Sequence, residues 1–223
     1  LVVEGLRMRY PFFETGSVGS SVLGRPLHYL AIGNGQTEVF YNASHHANEW
    51  ITTPLLLKFL EEYAEAYAIN GTIFNTRASE LYSKAKLYVV PMVNPDGVDL
   101  VTGAISSGSP AYETARSLAR NYPSIPFPSG WKANIQGVDL NLQYPAGWEI
   151  AREQKYAQGF NRPGPRDFVG TGPLTEPESL ALYNFTLARK FALTLSYHTQ
   201  GKVIYWRYLD YLPPRSLEIA RRF

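Results

Sequence analysis

The sequence predicts an α/β domain. Short apolar runs of strand length recur along the 223 residues, and stretches with apolar side chains at helical spacing lie between them. Gly, Pro and Asn punctuate the joins, and neither an internal repeat nor a low-complexity tract interrupts the alternation.

Taken in order, the spacing of Val2, Val3, Leu6 and Met8 predicts a helix that stops at Arg9-Tyr10-Pro11. Residues 16–24 are rich in Gly and Ser, and residues 26–32 then read as a strand. Gly33-Asn34-Gly35 has the chemistry of a hairpin turn, and residues 38–43 supply the next strand. Residues 49–67 read as a helix with Ile51, Leu55, Leu56, Phe59, Leu60, Tyr63 and Tyr67 on one stripe, ended by Asn70-Gly71. The mostly apolar residues 85–93 fit a strand covered on both faces. Asn94-Pro95-Asp96-Gly97 reads as a turn.

Residues 102–136 are irregular, with one helix near 112–121; a long irregular stretch in a compact domain is often functional. Thr175 with Glu178 three residues on forms a capping-box pattern ahead of a helix over 180–191. Residues 191–197 form an apolar strand that delivers His198, residues 203–206 a further short strand, and 216–223 the start of a helix.

Composition narrows the class. Lys and Arg number 21 against 19 Asp and Glu, a net charge of +2 that is too balanced for gripping nucleic acid or another polyanion by charge. The absence of cysteine excludes a disulfide scaffold, a thiolate zinc finger and a cysteine nucleophile. No apolar run reaches the roughly 18 residues of a membrane span, and no basic-then-apolar leader opens the chain. The chain starts at Leu1 without Met and its helical patterns break off at both termini, so the expectation is one domain over 1–223, truncated at both ends. Composition leaves the compartment open, since a lack of cysteine fits both a reducing interior and an exterior location.

The sharpest constellation is His46-x-x-Glu49 with a distant His198. A His and a Glu three apart on one helical turn point the same way and can hold one ion. Two imidazoles and a carboxylate leave a fourth zinc position open for water, the arrangement of hydrolytic sites, and a bound zinc acidifies that water and polarises a carbonyl. With four histidines a His-x-x-Glu pair alone is a weak signal, but His46 and His198 each follow an apolar strand, where α/β sites gather. His45 reads as a packed neighbour and His28 as a half-buried strand residue. Tyr197, Tyr205, Trp206, Tyr208 and Tyr211 fit either a binding wall or core packing. Asn42-Ala43-Ser44 matches a glycosylation sequon beside the proposed metal, where a glycan would obstruct the site.

His46-Ala47-Asn48-Glu49-Trp50, Asn94-Pro95-Asp96-Gly97, Gly137-Val138-Asp139-Leu140-Asn141, Glu176-Pro177-Glu178 and Ser196-Tyr197-His198 occur in the order found in zinc metallocarboxypeptidases of the carboxypeptidase A superfamily. The chain resembles that family over residues 46–198. Ser21-Val22-Leu23-Gly24-Arg25-Pro26 and His198-Thr199-Gln200-Gly201 are most similar to its bacterial branch, which includes γ-D-glutamyl-diamino-acid peptidases acting on cell-wall peptides. The resemblance implies a mixed, mostly parallel sheet of about eight strands with helices on both faces. It implies one zinc ion on His46, Glu49 and His198, with Asp139 accepting the other ring N–H of His46. Lys132 stands where many relatives carry an oxyanion-stabilising Arg, with a solvated surface charge as the other reading. Asn141 matches a substrate-carboxylate contact, and Asn48 stands where some relatives have a further Arg.

Two departures bear on activity. The family usually reads Asn-Arg where this chain has Asn141-Leu142, and Leu cannot clamp a free C-terminal carboxylate. A peptide recognised elsewhere, such as a γ-D-glutamyl–diaminopimelate link, fits better than ordinary C-terminal trimming. The family's general base is a Glu on a late strand, yet the only Glu after His198 is Glu218, in an apparent helix, and it is rejected as the base. The expected function is therefore a zinc metallopeptidase acting on peptidoglycan peptides, with a cell-wall-binding domain in the parent protein; the alternative is a catalytically incomplete, zinc-containing peptide-binding module.

Overall fold

A computed structural model describes residues 2–222. In chain order these form α1 (Val2–Arg9), β1 (Glu14–Ser20), β2 (Pro26–Ile32), β3 (Thr37–Ala43), α2 (Thr52–Ala68), β4 (Thr72–Ile73), β5 (Thr76–Arg77), α3 (Ala78–Lys84), β6 (Ala85–Val90), α4 (Pro95–Thr102), α5 (Pro110–Ala119), α6 (Trp148–Ala157), α7 (Pro177–Leu187), β7 (Leu193–Tyr197) and α8 (Ser216–Ala220). Five strands make the central sheet, in the order β1-β2-β6-β3-β7, and β4 with β5 makes a separate small hairpin. The pairings β1–β2 and β2–β6 are antiparallel, whereas β6–β3 and β3–β7 are parallel. The fold class is thus the α/β mixed sheet that was expected, but among the described residues it has five strands rather than about eight, and parallel pairings are no majority.

Strand periodicity explains why both faces are covered. Leu30, Ile32, Leu87 and Val89 pack with Leu6 of α1, with Leu56, Leu60 and Tyr63 of α2 and with Ala78 of α3. The alternate residues Ala31, Tyr88 and Val90 turn to the other face, where they join Phe40, Leu140 and Leu182 of α7. Successive side chains of a strand point to opposite faces, so β6, buried at Leu87, Tyr88, Val89 and Val90, needs cover on both. A third cluster, built on Leu100, Ala115, Trp131, Ala133 and Ile135, lies under the loops that lead to the site.

Several sequence expectations are corrected. Gly33-Asn34-Gly35 does not close a hairpin, because β6 inserts between β2 and β3. Its glycines instead let the link cross tightly over the backbone of Lys84 and Ala85, where a side chain would collide. Residues 14–20 form the strand β1, which the sequence does not announce: half-exposed and Gly-containing, it lacks a strand's usual apolar alternation.

Asn94-Pro95 opens helix α4, with Asn94 Oδ1 accepting from the Gly97 amide at 3.0 Å and Pro95 in the first turn. Thr175 does not cap α7; Glu176 occupies the cap position ahead of Pro177, and Glu178 is drawn to the Val22 amide instead. On α2 the buried stripe runs through Leu56, Leu60, Tyr63 and Ala64, leaving Ile51 and Leu55 exposed. Residues 203–206 form no strand, α6 had no sequence signal strong enough to name, and Phe223 lies outside the described residues.

Candidate metal centre and active-site cleft

Parallel pairing of β3 with β7 puts their carboxyl ends side by side, and each end carries a piece of the site. After Ala43, Ser44 takes a left-handed backbone (φ 53°), held by its amide donating to Thr52 Oγ1 at 3.1 Å. Ala47–Glu49 then form one tight 3₁₀ turn that presents His46 and Glu49 together. Buried Asn94 fastens this turn: its side-chain amide donates to the His45 carbonyl at 3.1 Å and the Ala133 carbonyl at 2.9 Å. The Ala47 amide reaches the Lys132 carbonyl at 2.9 Å, so both sides of the site are laced together by backbone.

His198, one residue past β7, completes the group. Its Nδ1 lies 2.8 Å from Glu49 Oε2 and 3.2 Å from His46 Nδ1, and His46 Nδ1 lies 3.2 Å from Glu49 Oε2. The other ring nitrogen of His46 donates to Asp139 Oδ1 at 3.2 Å. Asp139 is buried and also accepts the amides of Asn141 (3.2 Å) and Asp167 (3.1 Å). In the neutral ring this contact favours the tautomer protonated on Nε2, which leaves the Nδ1 lone pair available to a metal.

Charge follows geometry. Burial works against ionising Glu49, but the His198 and His46 imidazoles outweigh it and hold the carboxyl well below its usual range. Burial likewise opposes a charged His46, yet the Asp139 carboxylate wins and raises it to about 9. Asp139 is lowered to about 2, burial being overcome by His46 and the Asp167 amide. Glu49 Oε1 is buried with no hydrogen-bond partner, and the Lys132 ammonium approaches it only to 3.7 Å. Two imidazole nitrogens and a carboxylate within 4.8 Å of one another, with one orphaned oxygen, form the donor set that suits zinc.

The sequence profile of the zinc carboxypeptidases (peptidase family M14) matches residues 2–219. The chain belongs to the zinc carboxypeptidase family. It is 45% identical to gamma-D-glutamyl-L-diamino acid endopeptidase 1 of Lysinibacillus sphaericus, over 99% of this chain and 54% of that protein. Among solved structures, bovine thrombin-activatable fibrinolysis inhibitor, in complex with a tick carboxypeptidase inhibitor, superposes with a TM-score of 0.67 at 20% identity, over 98% of this chain and 66% of that one. Carboxypeptidase A from Helicoverpa armigera gives 0.65 at 22% identity, over 99% and 50%. Both likenesses are in fold. The chain spans about half the length of the curated relatives it matches most fully. His46, Glu49 and His198 fit the family's zinc as its three protein ligands.

A cleft of about 670 Å³ opens over the three ligands and is lined also by Lys132, Asn141 and Gln200. Lys132 is buried rather than a solvated surface charge, and its ammonium donates to Gln200 Oε1 at 3.2 Å. Asn48 is not in the cleft lining; its side-chain oxygen is buried without a partner. Among the described residues no carboxylate other than Glu49 lines the cleft, and Glu218 is exposed, paired with Arg215 and Arg222.

His45 is the packed neighbour expected, whereas His28 is exposed rather than half-buried. Asn42 is buried within the sheet, so the sequon cannot accept a glycan in the folded chain. Tyr205, Tyr208 and Tyr211 are exposed, which removes core packing as their explanation, and Tyr205 borders the cleft. Sequence reasoning missed three residues: Asn94 as the fastener of the metal turn, Gln200 as partner of Lys132, and Tyr144, whose hydroxyl lies 2.9 Å from His45 Nε2. For Asn94 the signal is its cap position before Pro95, and for Gln200 its place in the His198-Thr199-Gln200-Gly201 run; Tyr144 carries none.

Proposed function

We propose that these residues form the metal-binding part of a zinc peptidase that hydrolyses γ-D-glutamyl–diamino-acid bonds in peptidoglycan peptides. The observation that carries the reading is the convergence of His46, Glu49 and His198 at the floor of an open cleft beside Lys132. The activity for which the Lysinibacillus relative is named supports the choice of bond, as does Leu142 in place of a carboxylate-clamping Arg. When bound, zinc supplies an acidified water and polarises the scissile carbonyl.

The remaining tasks fall to side chains. Lys132, steered by Gln200, offers an ammonium to the oxygen on which negative charge develops, and being a point charge it needs no bidentate geometry. Asn141, in the cleft lining, is assigned to a substrate contact; Asn48, outside that lining, is not. Asp139 keeps the His46 ring turned to the ion. The proton-transferring carboxylate is assigned to none of the described residues, and a cell-wall-binding domain in the parent protein is part of this reading.

A second reading, a zinc-containing module that binds peptide without cleaving it, is favoured by one observation: Glu49 is the only described carboxylate lining the cleft. Hydrolysis of a γ-D-glutamyl–diaminopimelate peptide by the intact protein separates the two. Turnover abolished by a chelator and restored by zinc is expected; peptide binding with no turnover from zinc-loaded intact protein would establish the binding module instead.

A further inference from the structure

The two histidine ligands are held in different ways. His46 donates its second ring nitrogen to Asp139, the usual device for orienting a metal-bound imidazole. His198 follows an outer strand, its side chain is 27% exposed, and among the described residues its only side-chain hydrogen-bond partners are Glu49 and His46, the other members of the metal group. Something else must fix the plane of its ring.

That role falls to the residue preceding His46. The His45 ring stacks on His198, with centroids 5.9 Å apart and planes 28° from parallel. His45 is 2% exposed, and its Nε2 is pinned 2.9 Å from the hydroxyl of Tyr144, whose ring meets it edge-on at 6.0 Å. His46 tilts against His198 at 4.8 Å, so ring contacts from both adjacent histidines constrain the third ligand.

We propose that His45 and Tyr144 are a positioning pair for His198: Tyr144 locks the His45 ring, and His45 sets the plane in which His198 offers its nitrogen to the metal. The pair acts in series, since Tyr144 reaches His198 only through His45. The proposal rests on zinc being held by the three ligands and is independent of which bond is cleaved.

The test measures zinc affinity of the intact protein by chelator competition, with the visible spectrum of the cobalt-substituted form as a report on ligand geometry. Tyr144→Phe, which removes one oxygen, is expected to weaken zinc binding by about tenfold, and His45→Ala by about 10–100-fold, the range for groups that orient ligands. The double variant is expected to bind no more weakly than His45→Ala alone, because coupled residues are not additive. His45→Phe, which keeps a flat ring, is expected to restore most of the affinity and to be insensitive to Tyr144→Phe. Equal losses from Tyr144→Phe in the wild-type and His45→Ala backgrounds would overturn the series arrangement. Affinity and cobalt spectrum unchanged in Tyr144→Phe would overturn the proposal outright, and that variant stands by itself should His45→Ala fail to fold.

Discussion

Replacing Asp139 by Asn tests the electrostatic logic of the metal centre with a change of one atom. Every polar neighbour of this carboxylate is a donor: the His46 ring at 3.2 Å, the Asn141 amide at 3.2 Å and the Asp167 amide at 3.1 Å. An Asn amide therefore has no place for its NH₂. Turned toward Asp167 it opposes an N–H; turned toward His46 it donates to Nε2 and drives the ring proton onto Nδ1, the nitrogen that faces the metal. Either orientation forfeits a charge-assisted hydrogen bond worth about 1.5–3 kcal/mol. Expressed wholly in metal binding, that loss is about 10–150-fold in zinc affinity. Chelator competition on the intact protein at neutral pH measures it, with far-UV circular dichroism confirming that the fold persists. A folded Asp139→Asn protein whose zinc affinity stays within about threefold of wild type would refute the reasoning, because so small a change leaves no room for tautomer control.

Further outcomes follow from neighbouring contacts. Burial pushes the Glu178 carboxyl up from 4.5 to about 7 in a pocket shared with the Val22 amide, Asn134, Glu176 and Asp96. A raised acid favours the fold while protonated, so stability is full below pH 4.5, declines as pH rises toward 7 and stays reduced above it, by about 3 kcal/mol in all. Glu178→Gln should flatten this slope in denaturant titrations across that range; an unchanged slope would assign it elsewhere. Lys132→Ala should lower kcat about 10²–10³-fold with little change in KM, whereas a purely KM effect would make Lys132 a binding group only. At Gly97 an added Cβ would sit 2.6 Å from Asn94 Oδ1 and 2.7 Å from the Ala133 carbonyl. Gly97→Ala should thus cost about 1–3 kcal/mol in stability and weaken zinc binding too, since Asn94 holds the metal turn; normal affinity would uncouple the two.

The parts of the fold legible in the sequence are those where a local pattern and burial agree. Residues 85–90 are apolar throughout because both faces of β6 are covered, and α1 ends at Pro11 because proline cannot extend it. Legibility failed where tertiary partners decide. Gly33-Asn34-Gly35 has hairpin chemistry, yet nothing local reveals that β6, some fifty residues on, inserts beside it. The stripe on α2 was misplaced because Ile51 and Leu55 are apolar without being covered, and hydrophobicity does not report which face finds a partner. The three candidate ligands could be named because the chain has only four histidines, Glu49 follows His46 at helical spacing, and the motifs around them resemble a known family. Tyr144 could not, for its role depends wholly on meeting His45 across 99 residues of chain.

The ligands at 46 and 49 stand 152 and 149 residues from the third. Short-range structure can form the first two alone, but the third arrives only when β7 docks beside β3. Such distant closure is slow to be reached. Zinc retention is therefore expected to read out the docking of β7: a nascent chain halted before Leu193 lacks His198 and is expected to hold the ion less tightly.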